Sequence, residues 1–294
     1  MDVRQYLERT TDPAERTAEY KALVSQYYDA VTGFYRLGWG EFFHFAPFYG
    51  NESREEALLA MHKLLVRETG IAAEMKVLDV GCGVGGPGRS IARMTGALIT
   101  GITISRAQVK TAERLSRKQG LLDRFDVVLE DAMNMTFEDN AFDAVYMIES
   151  ACHMPDKRRF YKECARVLKP GGMLAGWDWI QLRSAGNTDR DSYEEPICAH
   201  FALPSLSTLN EINDHINAAG LDVLKVEDMG HHGTAGRRWW APLEQQINHP
   251  VARLTARMSK TLSMMWTSGD LLVSAGKAKR FSPLGFFVSR KPIC

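Results

Sequence analysis

The chain predicts an α/β fold: a doubly wound, seven-stranded, mostly parallel sheet, with a helical segment before it and a helical insertion ahead of its last strand. Three observations carry that expectation. Short apolar runs alternate with amphipathic helical stretches from about Met75 onward. The first run ends in Asp79 and breaks into Gly81-Cys82-Gly83-Val84-Gly85-Gly86-Pro87. Strand, tight turn and helix start, in that order, let a nucleotide-like ligand lie against bare backbone, because a Cβ would block both the turn and the approach. Finally, 294 residues at 45% hydrophobic and 24% charged can bury one large core with additions.

Each element has its own signal. Asn51 to Gly70 reads as an amphipathic helix, with Ser53 and Glu56 as a capping box and Leu58, Met61 and Leu65 on one face. Met75–Val80 is the first buried strand, and the glycine turn opens a helix through Ile91 and Met94 that stops near Gly96. Ala97–Ile102 is the second strand, followed by a second capping box, Ser105 to Gln108, and a helix to Gly120. Phe125–Leu129 and Phe142–Ile148 are the third and fourth strands. Lys157–Leu168 is helical, and Pro170-Gly171-Gly172 stops it and turns into a fifth strand, Met173–Trp177. Leu209–Ala219 is a helix, with Val223–Glu227 and Leu284–Ser289 as the last strands. Residues 51–230 thus hold the core. Residues 1–50, aromatic and helical, and 231–294, with an insertion before the last strand, fall outside the rhythm and are placed to cover the carboxyl edge of the sheet.

Composition excludes several classes. Lys+Arg and Asp+Glu number 36 each, so net charge gives no general attraction to nucleic acid or to an anionic membrane. The five cysteines are scattered, without a C-x-x-C pair, which predicts reduced thiols and no zinc site; His231-His232 alone is no metal site either. No N-terminal run resembles a signal peptide and no run is long enough to span a bilayer, so a soluble, cytoplasmic protein is expected.

The turn reads G-x-G-x-G and not the dinucleotide fingerprint, and the stretch Gly101 to Gln108 lacks the acidic residue that a dinucleotide site places about 20 residues further on. Glu130-Asp131-Ala132-Met133 ends the third strand instead, where an aspartate can accept from an adenine amino group. This set of strand ends resembles class I S-adenosylmethionine (SAM)-dependent methyltransferases, and Gly101-Ile102-Thr103-Ile104-Ser105 with Gln108 resembles those that methylate carbon. The resemblance implies SAM as cofactor, held by Tyr28, Asp79, Gly81, Gly83, Gly85, Thr103, Ile104, Gln108, Asp131, Ala132 and Met133.

More remote segments narrow it. Tyr27 to Thr32 and Phe34 to Phe45 look like the aromatic N-terminal block of sterol C24-methyltransferases, and Leu78–Pro87 matches that family's LDVGCGVGGP without a change. Ile148-Glu149-Ser150-Ala151-Cys152-His153 is similar to its IEATCH, Arg166–Gly172 to its RVLKPGG, Arg238–Leu243 to a WYYPL-type segment, and the segments Gly276-Lys277, Phe281-Ser282-Pro283 and Arg290-Lys291-Pro292 to its ending. The chain departs from the family at Gly33, where Asp is usual, and at Arg36-Leu37, where Glu-Tyr is usual.

The chemistry can be argued from the residues. An alkene is a weak nucleophile with no proton to remove first, so a methylating enzyme must position it in line and exclude water. Positive charge then moves onto a tertiary carbon, which carboxylates and aromatic faces stabilise. One carboxylate at about 4 Å, with an effective dielectric near 20, is worth ~4 kcal/mol, about three decades in rate if realised only in the transition state. A base finally removes a proton. Glu149 and Asp178 fit the electrostatic role and His153 or Tyr35 the final base. Glu149 could equally bind the amino group of the cofactor, His153 be a structural hydrogen-bonder, and Asp178 cap a helix. Trp39, Phe43, His44 and Phe45 are expected on the acceptor wall; as core of an N-terminal helix they would need no such role, but Gly38 and Gly40 interrupt a regular helix there. Met264, Met265 and Trp266 read as packing, and Lys277-Lys279-Arg280 as a solvated face or a membrane contact.

The expected activity is therefore SAM-dependent C-methylation of an alkene in a sterol or other terpenoid side chain, through a carbocation and a deprotonation. The alternative is a non-sterol prenyl acceptor, a prenyl diphosphate or prenylated indole alkaloid, which Arg36 favours if it faces the cavity. A lipid-binding or partner subunit without turnover is opposed by the intact glycine loop, Asp131 and both carboxylates. The expected partner is an apolar small molecule, with no nucleic acid, at most peripheral membrane contact, and self-association left open.

Overall fold

The computed structural model describes residues 3–182, 190–231 and 238–293, so that His232 and Cys294 lie outside the described residues. Seven strands form one sheet: β1 (Lys76–Val80), β2 (Leu98–Thr103), β3 (Phe125–Leu129), β4 (Phe142–Ile148), β5 (Leu168–Gln181), β6 (Asp222–Asp228) and β7 (Phe281–Arg290). Their order is β3-β2-β1-β4-β5-β7-β6, with β7 antiparallel to both of its neighbours and every other pair parallel. The chain leaves β1 toward β3 and returns to β4 on β1's other side. That reversal opens a crevice at the carboxyl ends of β1 and β4, where open α/β sheets bind ligands. Val77, Leu78, Val80 and Ala144 to Met147 are all buried, the continuous apolar pattern of strands covered by helices on both faces.

The helices start and stop as their caps dictate. Arg54–Thr69 has the predicted reciprocal box between Ser53 and Glu56, and ends at Gly70 in the left-handed region. Arg106–Gln119 is only half capped as predicted. Ser105 accepts the Gln108 N–H, but the Gln108 side chain turns away to accept from the Thr103 hydroxyl at 2.6 Å.

Several elements depart from the sequence reading at their ends, and three departures have a clear cause. Helix Lys157–Val167 passes directly into β5 at Leu168, and the expected turn at Pro170-Gly171-Gly172 is an excursion within the strand. The register steps from Phe142↔Leu168 to Ala144↔Met173, while Gly171 N–H bonds to Lys291 C=O and Gly172 C=O accepts from Lys291 N–H. β7 begins at Phe281 and not at Leu284, because a register shift opposite Asp178 and Ile180 accommodates Pro283, which has no N–H to give to a ladder. Gly38 does not interrupt the N-terminal helix: Tyr20–Trp39 is continuous, and Gly40 (φ 73°) ends it.

Helices Val3–Thr10, Pro13–Ala18 and Tyr20–Trp39 precede the core, and Ala241–Asn248, Pro250–Ala256 and Lys260–Lys277 lie between β6 and β7. Helix Glu195–Phe201 was not foreseen. Fully buried Arg16 anchors it to the N-terminal helices by donating to Leu203 C=O at 2.7 Å, Thr10 C=O at 2.5 Å and the Glu195 carboxylate at 2.5 Å. The two flanks also meet directly. Trp39 Nε1 donates to Gln246 Oε1 at 2.7 Å, and Gln246 Nε2 donates to Gly38 C=O at 3.2 Å.

Candidate active site

Two cavities adjoin above the crevice. The first is walled by the glycine turn, the ends of β2 and β3, and the Tyr20–Trp39 helix; the second by the aromatic block, Trp179, Phe201 and the helices between β6 and β7. Tyr28, Phe43, Glu149 and His153 line both, and so form the wall where contents of one would meet contents of the other.

Glu149 is the most constrained of these. It follows the last residue of β4 with φ 56°, a left-handed conformation that costs a residue with a Cβ about 1–2 kcal/mol. Its Oε1 accepts the Phe45 backbone N–H at 2.6 Å and its Oε2 accepts Trp179 Nε1–H at 2.7 Å. Burial pushes its carboxyl up to about 8, and those two donors oppose the rise. The group is thus poised to ionise when a cation arrives beside it. Next to it, Ser150 Oγ donates to Val80 C=O at 2.6 Å and draws the ends of β1 and β4 together. A Cβ at Gly81 would lie 2.4 Å from that serine's Cβ, which is why the turn starts with glycine.

His153 Nε2 lies 3.0 Å from the Tyr28 hydroxyl, and its Nδ1 is buried with no partner among the described residues. Burial lowers its pKa to about 3, so the imidazole is neutral at physiological pH. Tyr35 lines the second cavity only, and its hydroxyl is 2.6 Å from that of Tyr27; burial raises it to about 12.

The aromatic block is held over this wall from outside. Arg54, in the first turn of its helix, donates to Trp39 C=O at 3.1 Å and Phe42 C=O at 2.7 Å, with its guanidinium 4.7 Å from the Trp39 ring centroid. Trp39, Phe43 and Phe45 accordingly line the second cavity. His44 does not. It lines the first, its Nδ1 2.9 Å from Phe45 C=O and its Nε2 3.3 Å from His62 Nε2, and so serves to fix the backbone that presents the Phe45 N–H.

Of the expected cofactor residues, Tyr28, Asp79, Gly81, Gly83, Thr103, Ile104, Gln108, Asp131 and Ala132 line the first cavity, whereas Gly85 and Met133 do not. Gly85 lies one step behind, capping helix Gly86–Thr95, and Met133 packs into the core. Asp131 is already engaged: Tyr20 and the Met133 N–H donate to Oδ1 at 2.6 and 3.0 Å, and Lys21 pairs with Oδ2 at 2.5 Å. Burial opposes its charge, but those donors outweigh it and hold the carboxyl below its usual range. The cavity suits an adenosyl sulfonium. It offers bare backbone at Gly81 and Gly83 and five acidic side chains, Glu41, Asp79, Glu130, Asp131 and Glu149, with no Lys or Arg among its described lining residues.

Two expectations are displaced. Asp178 lines neither cavity; its Oδ1 accepts the Cys152 N–H at 3.0 Å, capping the single helical turn Ala151–His153 that carries the histidine. Arg36 also lines neither cavity, so the feature that favoured a diphosphate acceptor is part of neither wall. Trp179, Phe201, Leu243, Ile247 and Leu272 were missed, because apolar side chains at a cavity wall read in sequence like any core residue. Met265 and Trp266, read as packing, line the second cavity, while Met264 is core.

A family model described as "Methyltransferase domain" matches residues 78–176. The chain is 34% identical to a cycloartenol-C-24-methyltransferase of Arabidopsis thaliana, over 95% of this chain and 89% of that protein. It is 33% identical to a sterol 24-C-methyltransferase of Gibberella zeae, over 97% and 83% respectively. Among solved structures it is similar to the [4+2]-cyclase SpnF, with a TM-score of 0.75 and 27% identity over 92% of this chain and 96% of that one. A cyclase on this fold means that architecture alone does not select methyl transfer; the sequence relatives do.

Proposed function

Because the chain belongs to the sterol 24-C-methyltransferase family, we propose that it transfers a methyl group from SAM to an alkene carbon of a sterol side chain. One observation supports this reading above all others: an acidic, glycine-floored cavity and an apolar, aromatic one share the wall of Tyr28, Phe43, Glu149 and His153. Bound SAM supplies an electrophilic methyl group on a sulfonium. Asp79, Gly81, Gly83, Thr103, Ile104, Gln108 and Ala132 would hold it, with Asp131 bracing the rim through Tyr20 and Lys21.

The chain's own residues do the rest. Trp39, Phe45, Trp179 and Leu272 orient an apolar side chain and keep water out. Glu149, fixed by two N–H donors, faces the developing cation as a carboxylate, with the rings of Tyr28 and Phe43 beside it. The Tyr28–His153 pair then takes the proton: the phenol oxygen accepts it as its own proton passes to Nε2. A pKa near 3 is sufficient, because a proton beside a tertiary carbocation is far more acidic than an imidazolium.

The test is incubation with labelled SAM and a panel of side-chain-unsaturated sterols, prenyl diphosphates and prenylated indoles, read by mass spectrometry. Methylated sterol is the expected product. Product from the non-sterol acceptors alone would overturn the assignment.

A further inference from the structure

The mouth of the acceptor cavity carries an apolar, basic rim. Phe34 and Gly38 line the cavity on one side and Ala252 and Thr255 on the other. Beside them Leu37 is 88% exposed, Val251 59%, Leu254 60% and Met258 78%. Helix Pro250–Ala256 has no buried residue at all. Val251 and Leu254 lie one turn apart on that helix, Met258 follows in the turn that ends it, and Leu37 stands one turn from Phe34 on the other side. The Gln246 hydrogen bonds to Trp39 and Gly38 bring the two halves of the rim together.

Charge is equally one-sided. Between Glu244 and Asp270 there is no acidic residue, while Arg253, Arg257 and Lys260 are exposed. An apolar stripe flanked by cations alone matches the boundary between anionic headgroups and acyl chains. Among the described residues no helix is long and apolar enough to cross a membrane. The cluster at Lys277 is a poorer candidate, since Lys277 is paired with Glu244.

The geometry points to a docking surface for an anionic lipid bilayer, formed by Leu37, Val251, Leu254 and Met258 with Arg253 and Arg257, through which a membrane-dissolved acceptor enters the second cavity. This rests on the lipid-acceptor reading above, because a water-soluble acceptor needs no such entrance.

Cosedimentation with vesicles of phosphatidylcholine alone and of phosphatidylcholine with phosphatidylserine tests it. The wild-type protein is expected to bind the anionic vesicles at least tenfold more tightly, and less tightly as salt is raised. The double variant Leu254→Glu, Met258→Glu should lose at least tenfold in vesicle binding, with its melting temperature and its methylation of cyclodextrin-delivered sterol unchanged. Equal vesicle binding by the two proteins, or none by the wild type, would overturn the proposal. So would a wild-type dimer that becomes monomeric in the variant, which would make the rim a contact between two copies. Vesicle binding without sterol turnover from any carrier would support the surface and overturn the sterol assignment instead.

Discussion

The backbone N–H of Phe45 donates to Glu149 Oε1 at 2.6 Å, across 104 positions of sequence. The position of the aromatic block and the charge state of the carboxylate are therefore coupled. A chain whose block is out of place leaves Glu149 with one donor fewer and a higher pKa.

Glu149→Gln keeps the shape and removes the charge. Methyl transfer is expected to fall by about three decades, the worth of one carboxylate near the cation, while SAM affinity stays within about tenfold. Isotope-transfer rates and calorimetric SAM titration check this, and full activity would remove Glu149 from the mechanism.

The same carboxyl makes SAM binding proton-linked. A sulfonium beside a group titrating near 8 lowers that pKa, so binding at pH 7 releases protons in the wild type and not in the Gln variant. Titration in buffers of different ionisation enthalpy measures this. In the free protein the sign is opposite in consequence: a raised folded-state pKa favours the native state below the unfolded value of 4.5, and that stability is lost as pH rises through about 8. Thermal melts between pH 5 and 8 should show it, with a flatter dependence in the variant.

Trp179→Phe retains a ring against Phe201 and Phe281, at 4.9 and 5.1 Å, and deletes one donor to Glu149. A hydrogen bond to a charged group is worth about 1.5–3 kcal/mol. The carboxyl should therefore titrate roughly one to two units higher, with activity at pH 7 down by 10- to 100-fold and partly recovered at pH 9. A pH–rate profile unmoved from wild type would show that Trp179 acts through packing alone.

Asp178→Asn and Asp178→Ala separate placement from charge. Asn still accepts the Cys152 N–H and should keep activity within about fivefold, whereas Ala strands that donor and should cost about 1–3 kcal/mol of stability. A thousandfold loss in Asp178→Asn with SAM binding intact would restore a direct electrostatic role.

Arg16→Met should destabilise the protein by about 1–3 kcal/mol, since it leaves the carbonyls of Thr10 and Leu203 without their buried donor, whereas the Glu195 carboxylate is one-third exposed and water can take over there. Chemical denaturation measures this directly.

Much of the core was legible in the chain. Short apolar runs closed by charged and polar residues, Arg124 and Glu130 around β3 and Asn140 and Glu149 around β4, gave both strands to the residue, and Ser53 with Glu56 gave a helix start, because these signals are local. That Glu149 and His153 reach the cavity wall was legible because they follow a strand at its carboxyl end. Asp178 was misplaced for want of one angle: the sequence puts it on β5 but does not say that it points beneath the turn at Cys152. Arg54 and Trp179 were invisible as positioning residues, since each acts on a segment distant in sequence.

The described walls of the first cavity come from residues 20–154, whereas beyond the shared wall and the N-terminal block the second is built from Trp179, Phe201 and residues 243–272. The later stretch thus adds wall to the second cavity alone, on top of an N-terminal block and a shared wall that serve both. Under the proposed assignment, change within that stretch would alter the acceptor cavity and leave the walls of the first untouched, and a chimera carrying a relative's counterpart of 241–277 would exchange it as one unit.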